Sequence, residues 1–501
     1  MAKEPDLYEA LGVSRNASLE EIRRAYHLAV RQYHPDVNVN VGETQLFLVV
    51  QQAYEVLSNP KKRAAYDATL PPYIPPPPVA NVTTILSRSD LTRIKEPQLV
   101  YTLVELAAPS EAPRVDAPPF NVCLILDCST SMQGERLDTV KLTAIELTRQ
   151  LRPVDTLSIV TFSDKAEVLL PAGDHPTKEK LETLIQMIHT NGATEIFKGL
   201  EAGYFQVRRN LRKNQFNHLL LLTDGHTYGD ELACLQIADQ AMAEGVVISA
   251  LGIGDEWNDT FLDKLTSSTG GTVTYVSQSE DIRKFLKQKF SGFSETYAEM
   301  VSFNFSLPDG IQLDYSFRLA PESSPLQTTS PMPLGSIPYE SSLSFLMEFR
   351  VMPLPANLDQ AVLAKGLFSF DIPSQPDPTT PFHLELVLPI SETPHPETPT
   401  PNLVQAISKL NLYRMQERAY KELADGQREN ASQHLQNLAT HLFAQGEHDL
   451  ARTTLREAEQ IQHGDRIGEG GKKRIKYGTR ALLLPGDVTT QTLDTSGGDE
   501  L

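Results

Sequence analysis

Two runs of apolar residues near the start of the chain follow the three- and four-residue spacing of an α-helix. The first run consists of Ile22, Ala25, Tyr26, Ala29 and Tyr33, and the second of Phe47, Val50, Tyr54 and Leu57. Because each run lies on one helical face and a polar segment joins the two, the pattern predicts an antiparallel helical hairpin that buries both faces.

The polar segment between the two runs contains the tripeptide His34-Pro35-Asp36. Pro35 has no amide hydrogen and disfavours the helical region for His34, so the first helix is expected to end here. The tripeptide is therefore predicted to lie at the exposed tip of the hairpin. One interpretation is that this tip contacts a partner, and the alternative is that His34 and Asp36 only cap two helix ends.

Five segments around the tripeptide occur in a recognisable order. They are Asp6-Leu7-Tyr8-Glu9-Ala10-Leu11-Gly12-Val13, Ile22-Arg23-Arg24-Ala25-Tyr26, Tyr33-His34-Pro35-Asp36, Ala53-Tyr54-Glu55-Val56-Leu57-Ser58 and Lys62-Arg63-Ala64-Ala65-Tyr66-Asp67. Together they resemble a J-domain over about the first seventy residues. In that family the loop and the basic face of the second helix dock on an Hsp70 chaperone and trigger its ATP hydrolysis.

The J-domain resemblance implies roles for particular residues of this chain. The trigger would be formed by His34, Pro35 and Asp36, and the steering face by Arg23, Arg24, His27 and Arg31. The chain departs from the usual pattern because Leu28 and Ala29 follow His27, where family members usually carry more Lys and Arg. We therefore expect weaker electrostatic steering of the Hsp70 partner.

Apolar strands alternate with helical stretches in the middle of the chain. Phe120 to Asp127 is a continuous apolar run, as expected of a strand that is buried on both faces. Further strands are predicted at Thr156 to Phe162, His218 to Leu222 and Val246 to Leu251, and helices at Arg136 to Arg149, Lys178 to Ile188 and Leu232 to Ala243. This alternation predicts a doubly wound parallel sheet, which binds its ligands at the carboxyl ends of the strands.

Three polar clusters fall at those strand ends. They are Asp127-x-Ser129-x-Ser131, Gly192-Ala193-Thr194-Glu195 and Thr223-Asp224-Gly225. Carboxylate and hydroxyl oxygens are hard ligands, so they favour a small divalent cation, Mg²⁺ or Mn²⁺, over zinc or copper. The alternative is that Ser129 and Ser131 are helix N-caps and Asp127 is a turn residue. Caps alone would not explain why Thr194 and Asp224 stand at other strand ends.

The order of the three clusters resembles the metal-ion-dependent adhesion site of von Willebrand factor A domains, over roughly Phe120 to Phe293. The resemblance implies that Ser129, Ser131 and Thr194 contact the ion through their hydroxyls. It also implies that Asp127 and Asp224 act directly or through water, and that a partner's carboxylate fills an open coordination position. Ala193 replaces the glycine that often precedes the threonine, which stiffens that loop.

Short alternating segments broken by Pro and Gly flank this α/β region and predict a β-sandwich. They are Leu99 to Leu106, Val301 to Leu307, Ile311 to Leu319, Leu343 to Val351, Leu363 to Phe370 and His383 to Leu388. The first lies before the α/β region and the rest after it, so the von Willebrand A domain is predicted to be inserted in the sandwich. Helical spacing returns at Leu403 to Ala424, Arg428 to Gln445 and His448 to Ile461, which predicts a hairpin that resembles a tetratricopeptide-like unit.

The predicted fold is therefore multidomain. An all-α J-domain hairpin precedes a Rossmann-like, doubly wound α/β domain inserted in a β-sandwich, and a small α-helical region follows. The predicted boundaries are the J-domain at 1–70, a Pro-rich linker at 71–80, N-terminal sandwich strands at 81–118, the von Willebrand A domain at 119–293, the β-sandwich at 294–390, a linker at 391–401, the helical hairpin at 402–463, and a basic patch with a disordered acidic tail at 464–501.

The C-terminal stretch combines a basic patch, Lys472-Lys473-Arg474-Ile475-Lys476, with a polar tail from Asp487 to Leu501. The tail has too little apolar surface to fold by itself. One interpretation is that Thr489, Thr490, Thr492 and Thr495 are phosphorylated and bound by a phosphothreonine-binding partner. The other is that the tail only keeps the protein soluble.

Composition narrows the classes of function. The net charge is −19 and the pI is about 5.1, so we expect no nucleic-acid partner. Apolar runs are too short to cross a bilayer and the N-terminus has no apolar signal core, so we expect no membrane insertion and a cytoplasmic location. The three cysteines lack a Cys-x-x-Cys pair, which is typical of a reducing compartment and excludes four-Cys zinc modules.

Catalysis by the chain itself is not expected from the sequence. Gly-x-Ser-x-Gly is absent, and Gly468-Glu469-Gly470-Gly471-Lys472-Lys473 lacks the spacing of a phosphate-binding loop. The favoured hypothesis is a non-enzymatic adaptor that stimulates Hsp70 and recruits a partner or client through the metal-dependent domain. Two alternatives remain open: an assembly scaffold for an ATPase or membrane complex in which the J-domain is incidental, and a metal-dependent hydrolase.

Overall fold

The structure is a computed structural model in which two compact units, Met1–Pro78 and Val79–Leu501, are each described by themselves. The residues described are 7–11, 13, 17, 19, 22–23, 25–26, 30, 50–70, 79–112, 117–173, 176–212, 214–226, 229–355, 357–373, 382–393, 395, 400–463 and 468–483.

The N-terminal unit packs helices around a small apolar core. Its described helices are Leu7–Leu11, residues 50–57 and Pro60–Asp67. The core consists of Tyr8, Leu11, Ala17, Ile22, Val50, Ala53 and Leu57. Ile22 comes from the first predicted face and Leu57 from the second, and the rings of Tyr26 and Tyr54 stack with centroids 4.0 Å apart. The predicted pairing of the two faces is confirmed at these residues.

A six-stranded sheet forms the centre of the second unit. Its strands are β4 (Phe120–Asp127), β5 (Thr156–Phe162), β6 (Ala166–Leu170), β7 (Phe216–Thr223), β8 (Val247–Ile253) and β9 (Val273–Val276), in the order β6-β5-β4-β7-β8-β9. All neighbours are parallel except β6, which pairs antiparallel with β5 at the edge. All residues of β4, β7 and β8 are buried, so the predicted doubly wound sheet is confirmed.

Helices cover both faces of this sheet. They are α1 (Glu135–Thr148), α2 (Lys178–Gln186), α3 (Ile196–Arg209), α4 (Glu231–Ala243), α5 (Asp259–Ser267) and α6 (Ser279–Ser294). Two separate apolar clusters lie on the two faces. Helix α3 approaches the sheet closely because it has glycine where it crosses the strands: a Cβ on Gly203 would lie 2.5 Å from Ile125.

The strands of the β-sandwich flank the α/β domain in the sequence. One sheet has the order β1-β3-β14-β11-β12 and the other β13-β10-β15-β16-β2. The strands are β1 (Asn81–Leu86), β2 (Leu91–Thr92), β3 (Gln98–Ala107), β10 (Thr296–Ser306), β11 (Ile311–Ala320), β12 (Ser324–Pro325), β13 (Met332–Pro338), β14 (Ser342–Val351), β15 (Gln360–Asp371) and β16 (Phe382–Ser391). Because β3 pairs with β14 across the inserted domain, the predicted insertion is confirmed.

Among the described residues after the sandwich, four helices occur: α7 (Pro401–Ala424), α8 (Arg428–Ala444), α9 (His448–His463) and α10 (Glu469–Ala481). Helix α7 packs Leu410 and Tyr413 against Phe317 and Leu346 of the sandwich, and α8 and α9 form the predicted hairpin. Within the described ranges, none of the helices combines the length and the apolar character needed to span a bilayer.

Helix α10 corrects the sequence interpretation of residues 472–476 as a basic patch. Lys473 and Lys476 are 0% and 8% exposed, because α10 packs on α5 of the α/β domain. The Lys476 ammonium pairs with Asp259 and, at 2.7 Å, with Asp263. Lys476 therefore neutralises buried carboxylates, and Lys473 and Lys476 do not belong to a solvated surface, whereas Arg474 is exposed.

Candidate metal centre

Asp127 is the last residue of β4 and its side chain is buried at the carboxyl edge of the sheet. Its Oδ1 accepts a hydrogen bond from the Ser129 amide at 2.8 Å, and its Oδ2 accepts one from Thr223 Oγ1 at 2.6 Å. Burial raises the pKa of Asp127 to about 6, against the hydrogen bonds from Thr223 and Ser129 that lower it.

A short chain of hydroxyls connects Ser129 to Asp224, which follows β7. Ser131 Oγ donates to Asp224 Oδ1 at 2.6 Å, and Ser129 Oγ lies 2.9 Å from Ser131 Oγ. Since an ionised carboxylate only accepts hydrogen bonds, the single Ser131 hydrogen is used at Asp224, and Ser129 is the donor to Ser131. The lone pairs left on both hydroxyls are the kind of oxygen ligand that Mg²⁺ accepts.

Thr194 reaches the same edge from the loop before α3. A Cβ on Gly225 would lie 2.7 Å from Thr194 Oγ1, so the threonine hydroxyl packs directly against the backbone that follows Asp224. The Thr194 side chain is partly exposed, whereas Asp224 is 1% exposed. All five predicted metal ligands, Asp127, Ser129, Ser131, Thr194 and Asp224, therefore gather at one edge of the sheet.

Backbone hydrogen bonds hold the two ligand-bearing loops together. The Asn191 amide donates to the Cys128 carbonyl at 2.7 Å, and the Glu195 amide donates to the Ser163 carbonyl at 2.9 Å. These bonds fasten the loop of Thr194 to the ends of β4 and β5. The fold therefore keeps the backbone of the Thr194 loop close to the strand ends that carry Asp127, Ser129 and Ser131.

Sequence reasoning assigned no role to two residues that contact the aspartates. Thr223 belonged to a predicted cluster, but its bond to Asp127 follows only from the register of β4 beside β7. Arg136 Nη1 donates to Asp224 Oδ2 at 2.7 Å. The sequence offered only a weak signal, because a cation in the first turn of a helix opposes the helix dipole, and Glu135 and Asp138 occupy the same turn.

The donor set fits a divalent ion. Two carboxylates and three hydroxyls supply oxygen only, at an edge where Ser131 is exposed and the aspartates are buried. Each aspartate oxygen already accepts one hydrogen bond and has a further lone pair to offer an ion or its water. Cys128, which lies between two of the ligands, is buried, and burial raises the pKa of its thiol to about 12, so it does not supply a thiolate near neutral pH.

Of the residues predicted to contact Hsp70, the structure describes the side chain of Arg23, which is exposed. His34, Pro35, Asp36, Arg24, His27 and Arg31 lie outside the described residues. The same is true of Thr489, Thr490, Thr492 and Thr495. The roles of these residues remain predictions.

Comparison with known protein families locates three matches. Residues 6–67 match the DnaJ domain, residues 121–288 match the von Willebrand factor type A domain, and residues 401–485 match the Sll0103-like C-terminal alpha-helical domain. The chain carries a DnaJ domain and a von Willebrand factor type A domain. The third match includes α10, which agrees with its place in the helical region and not in a tail.

Individual relatives match the same parts of the chain: one matches most of its length and another matches the DnaJ domain. The chain is 26% identical over 381 residues to the uncharacterized protein sll0103 of Synechocystis sp., covering 73% of this chain and 89% of that protein. Over 67 residues it is 52% identical to the chaperone protein DnaJ of Dictyoglomus thermophilum, but this covers only 17% of that protein. Activities of the whole DnaJ protein therefore apply to this chain only as proposals.

A solved structure resembles most of the second unit in fold. The von Willebrand factor type A protein from Catenulispora acidiphila aligns with 80% of this chain and 96% of its own length, with a TM-score of 0.62 at 15% identity. At this identity the likeness shows the fold alone. Type A domains often hold a metal ion at the adhesion site, and the five predicted oxygen ligands of this chain meet at one edge of its type A sheet.

Proposed function

We propose that the protein is a J-domain co-chaperone that stimulates Hsp70 and brings it to a partner or client held by the type A domain. The observation that supports this most is the presence, in one chain, of a DnaJ domain and a sheet edge where two buried carboxylates meet three hydroxyls. Because the two domains are covalently joined, a bound client would be kept at high local concentration beside Hsp70.

The proposed ion is Mg²⁺ or Mn²⁺, held by the hydroxyls of Ser129, Ser131 and Thr194 and by Asp127 and Asp224, directly or through water. When bound, it would supply a positive centre that accepts a carboxylate from the partner. The chain's own contribution is to hold these oxygens in place through the Thr223 and backbone hydrogen bonds. No bond is made or broken in this role, so we propose a binding protein and not an enzyme.

The co-chaperone part is tested by single-turnover ATP hydrolysis of an Hsp70 with the full chain. We expect stimulation by the wild type and, with Asp36→Asn, a loss of about tenfold or more, which corresponds to about 1.4 kcal/mol. Glu55→Gln is a matched control, since it removes one carboxylate from an exposed ion pair with Lys62 in the same unit. Equal stimulation by wild type and Asp36→Asn would contradict the assigned trigger.

The recruiting part is tested by affinity capture with the full chain in Mg²⁺ and in EDTA. We expect partners that are retained only with Mg²⁺ and lost with Asp224→Ala. Asp138→Ala is the control, because Asp138 is an exposed acid on α1 outside the site. Normal Mg²⁺-dependent capture without any stimulation of Hsp70 would instead support the alternative, an assembly scaffold for an ATPase or membrane complex with an incidental J-domain.

We also propose a cytoplasmic location, which the three free, buried cysteines support because reducing compartments keep thiols unpaired. Fractionation of cells that express the full chain tests this. The buried Cys128 thiol, whose raised pKa keeps it protonated, argues against a cysteine nucleophile and leaves the metal-dependent hydrolase as an alternative to be tested. Incubation of the Mg²⁺-loaded chain with ester and phosphoester substrates tests it, and turnover that Asp224→Ala abolishes would overturn the binding-only proposal.

A further inference from the structure

Arg136 occupies an unusual position beside the metal site. It stands in the first turn of α1, where a cation opposes the helix dipole, and its Nη1 donates to Asp224 Oδ2 at 2.7 Å. The Asp224 side chain is 0% exposed and that of Arg136 is 41% exposed, so the guanidinium covers the carboxylate from solvent. One carboxylate oxygen of the site thus faces a cation supplied by the chain.

A glycine on the far side leaves room for the guanidinium in this place. Gly254 follows β8, and a Cβ there would lie 2.7 Å from Arg136 Nη2. The backbone at Gly254 is itself fixed, because its carbonyl accepts a hydrogen bond from Trp257 Nε1 at 2.8 Å and its amide donates to the Val276 carbonyl at 2.8 Å. Arg136 is therefore held between a fixed loop and Asp224.

Charge balance shows what this arginine changes. With both aspartates ionised, Arg136 leaves the ion-free site with a net charge of minus one, and a divalent ion brings it to plus one. A single carboxylate from a partner then returns the site to neutrality. Without the guanidinium, the ion alone would neutralise the two aspartates, and an added carboxylate would leave an uncompensated negative charge.

We propose that Arg136 is the specificity-determining residue of the metal site: it weakens binding of the ion alone and favours the ion together with an anionic, carboxylate-bearing partner. This inference rests on the proposed metal-dependent function. It adds that the ion and the carboxylate bind cooperatively. The reason is that, with Arg136 present, the ion alone leaves the site with a charge of plus one, which a carboxylate neutralises.

The test uses the full chain with Mn²⁺ and acetate as probes. Free Mn²⁺ is followed by its electron paramagnetic resonance signal, in acetate and in chloride at equal ionic strength. We expect acetate to strengthen Mn²⁺ binding by the wild type. Arg136→Gln should bind Mn²⁺ about tenfold tighter in chloride, and acetate should no longer strengthen its binding.

The proposed charge role and a simple positioning role predict opposite changes in Mn²⁺ affinity for Arg136→Gln, so the measurement separates them. If Arg136 only oriented Asp224, Arg136→Gln would bind Mn²⁺ more weakly, and that result would overturn the inference. Arg149→Gln is the matched control, because Arg149 pairs with Glu182 near the other end of α1 and its loss changes the net charge equally. It should behave as the wild type does in both solutions.

The same measurement distinguishes failure of the proposed metal-dependent function from failure of the proposed role of Arg136. If the wild type binds no Mn²⁺, the metal-dependent function and this inference are both overturned. If the wild type binds Mn²⁺ but Arg136→Gln binds it equally well, only the role of Arg136 is overturned. Arg136→Lys keeps the charge and should match the wild type with both probes, so it tests the charge even if Arg136→Gln unfolds.

Discussion

Two pairs of buried aspartates in the type A domain differ in the polar and charged side chains that face them. Asp127 and Asp224, at the metal site, face hydroxyls and one cation, Arg136. Asp259 and Asp263, on α5, face cations from α10. Those cations are Lys472, Lys476 and Arg480.

The pKa values of Asp127 and Asp263 move apart for this reason. Burial raises the pKa of both Asp127 and Asp263, but Arg480 and Lys476 outweigh it at Asp263 and bring that pKa down to about 2. At Asp127 no such cation is in contact, and the pKa rises to about 6. The buried carboxylates at the α5–α10 junction are neutralised by cations of the chain, whereas Asp127 and Asp224 share the single cation Arg136, so the proposed metal site keeps a net negative charge that suits a divalent ion.

The largest effect on stability is expected from breaking the buried ion pair between Arg480 of α10 and Asp263 of α5. Arg480→Met removes the guanidinium that holds Asp263 through bonds of 2.9 and 2.8 Å and leaves a buried carboxylate with Lys476 alone. We expect a loss of about 3–5 kcal/mol in the free energy of unfolding. Urea denaturation followed by Trp257 fluorescence measures it, since this single tryptophan contacts α10 through Tyr477.

The matched control replaces the whole ion pair. Asp263→Leu combined with Arg480→Met removes the carboxylate and its partner together, so no uncompensated charge is left in the interior. We expect most of the lost stability to return. A double variant as unstable as Arg480→Met would show that packing, and not charge, governs this junction.

The next largest effect on stability is expected at the proposed metal site, where the additional positive charge comes from an ion in solution. Mg²⁺ should stabilise the full chain by about 2.7 kcal/mol when its concentration is one hundred times its dissociation constant. Thermal unfolding with Mg²⁺ and with EDTA measures the effect. The double variant Asp127→Ala with Ser129→Ala should show no stabilisation, Ser131→Ala and Thr194→Ala should show less than the wild type, and Asp138→Ala should respond fully.

The contributions of Asp127 and Asp263 to stability should also respond to pH with opposite signs. The ordinary pKa of both groups is 3.8, and folding lowers that of Asp263 to about 2, so its contribution is present above pH 3.8 and is lost as the pH falls towards 2. Folding raises the pKa of Asp127 to about 6, so its contribution is present below pH 3.8 and is lost as the pH rises through 6.

Comparison of the wild type with Asp127→Asn and with Asp263→Asn, in EDTA, isolates each contribution. We expect the Asp127 difference to change by about 2 kcal/mol between pH 4 and pH 7, and the Asp263 difference to change below pH 4. Urea denaturation across this range measures both. The same sign of pH dependence at the two aspartates would contradict the contrast between them.

The smallest effect is expected at Lys473, which is buried beside the junction and whose ammonium lies 3.9 Å from the exposed carboxylate of Glu469. Its ammonium donates to the Asp255 carbonyl and lies 4.8 Å from the centre of the Trp257 ring. Lys473→Met should cost about 1 kcal/mol and alter the Trp257 emission, because it removes a cation–π contact and leaves a carbonyl unpaired. Lys472→Met, whose ammonium is 3.8 Å from Asp259 and more exposed, is the control and should have little effect on Trp257.

Prediction from sequence worked best where local pattern and parallel topology coincide. Strands of continuous apolar residues lead into Asp127 and Asp224, and the carboxyl ends of parallel strands share one edge, so spacing along the chain was enough to predict that the ligands meet. The short edge strands Ala166–Leu170 and Val273–Val276 were missed because four or five residues carry too little periodicity. The J-domain tip remains a sequence prediction.

Helix α10 was missed for a physical reason. Its sequence contains three glycines, which lower helix propensity, and many Lys and Arg residues, which are usually solvated. The glycines are used for close packing: a Cβ on Gly470 would lie 2.3 Å from Asp255, and one on Gly478 would lie 2.7 Å from Leu450. Only the folded chain brings these surfaces together.

The sequence by itself determined most of the longer strands and helices, their alternation and the predicted oxygen ligands, because these depend on spacing along the chain and on the rule that parallel strands align their ends. The tertiary structure decided where the charges are balanced. Arg136 is 88 residues from Asp224, and Arg480 is 217 residues from Asp263. Pairing over such separations leaves no periodic trace in the sequence, since it depends on which surfaces meet when the domains pack.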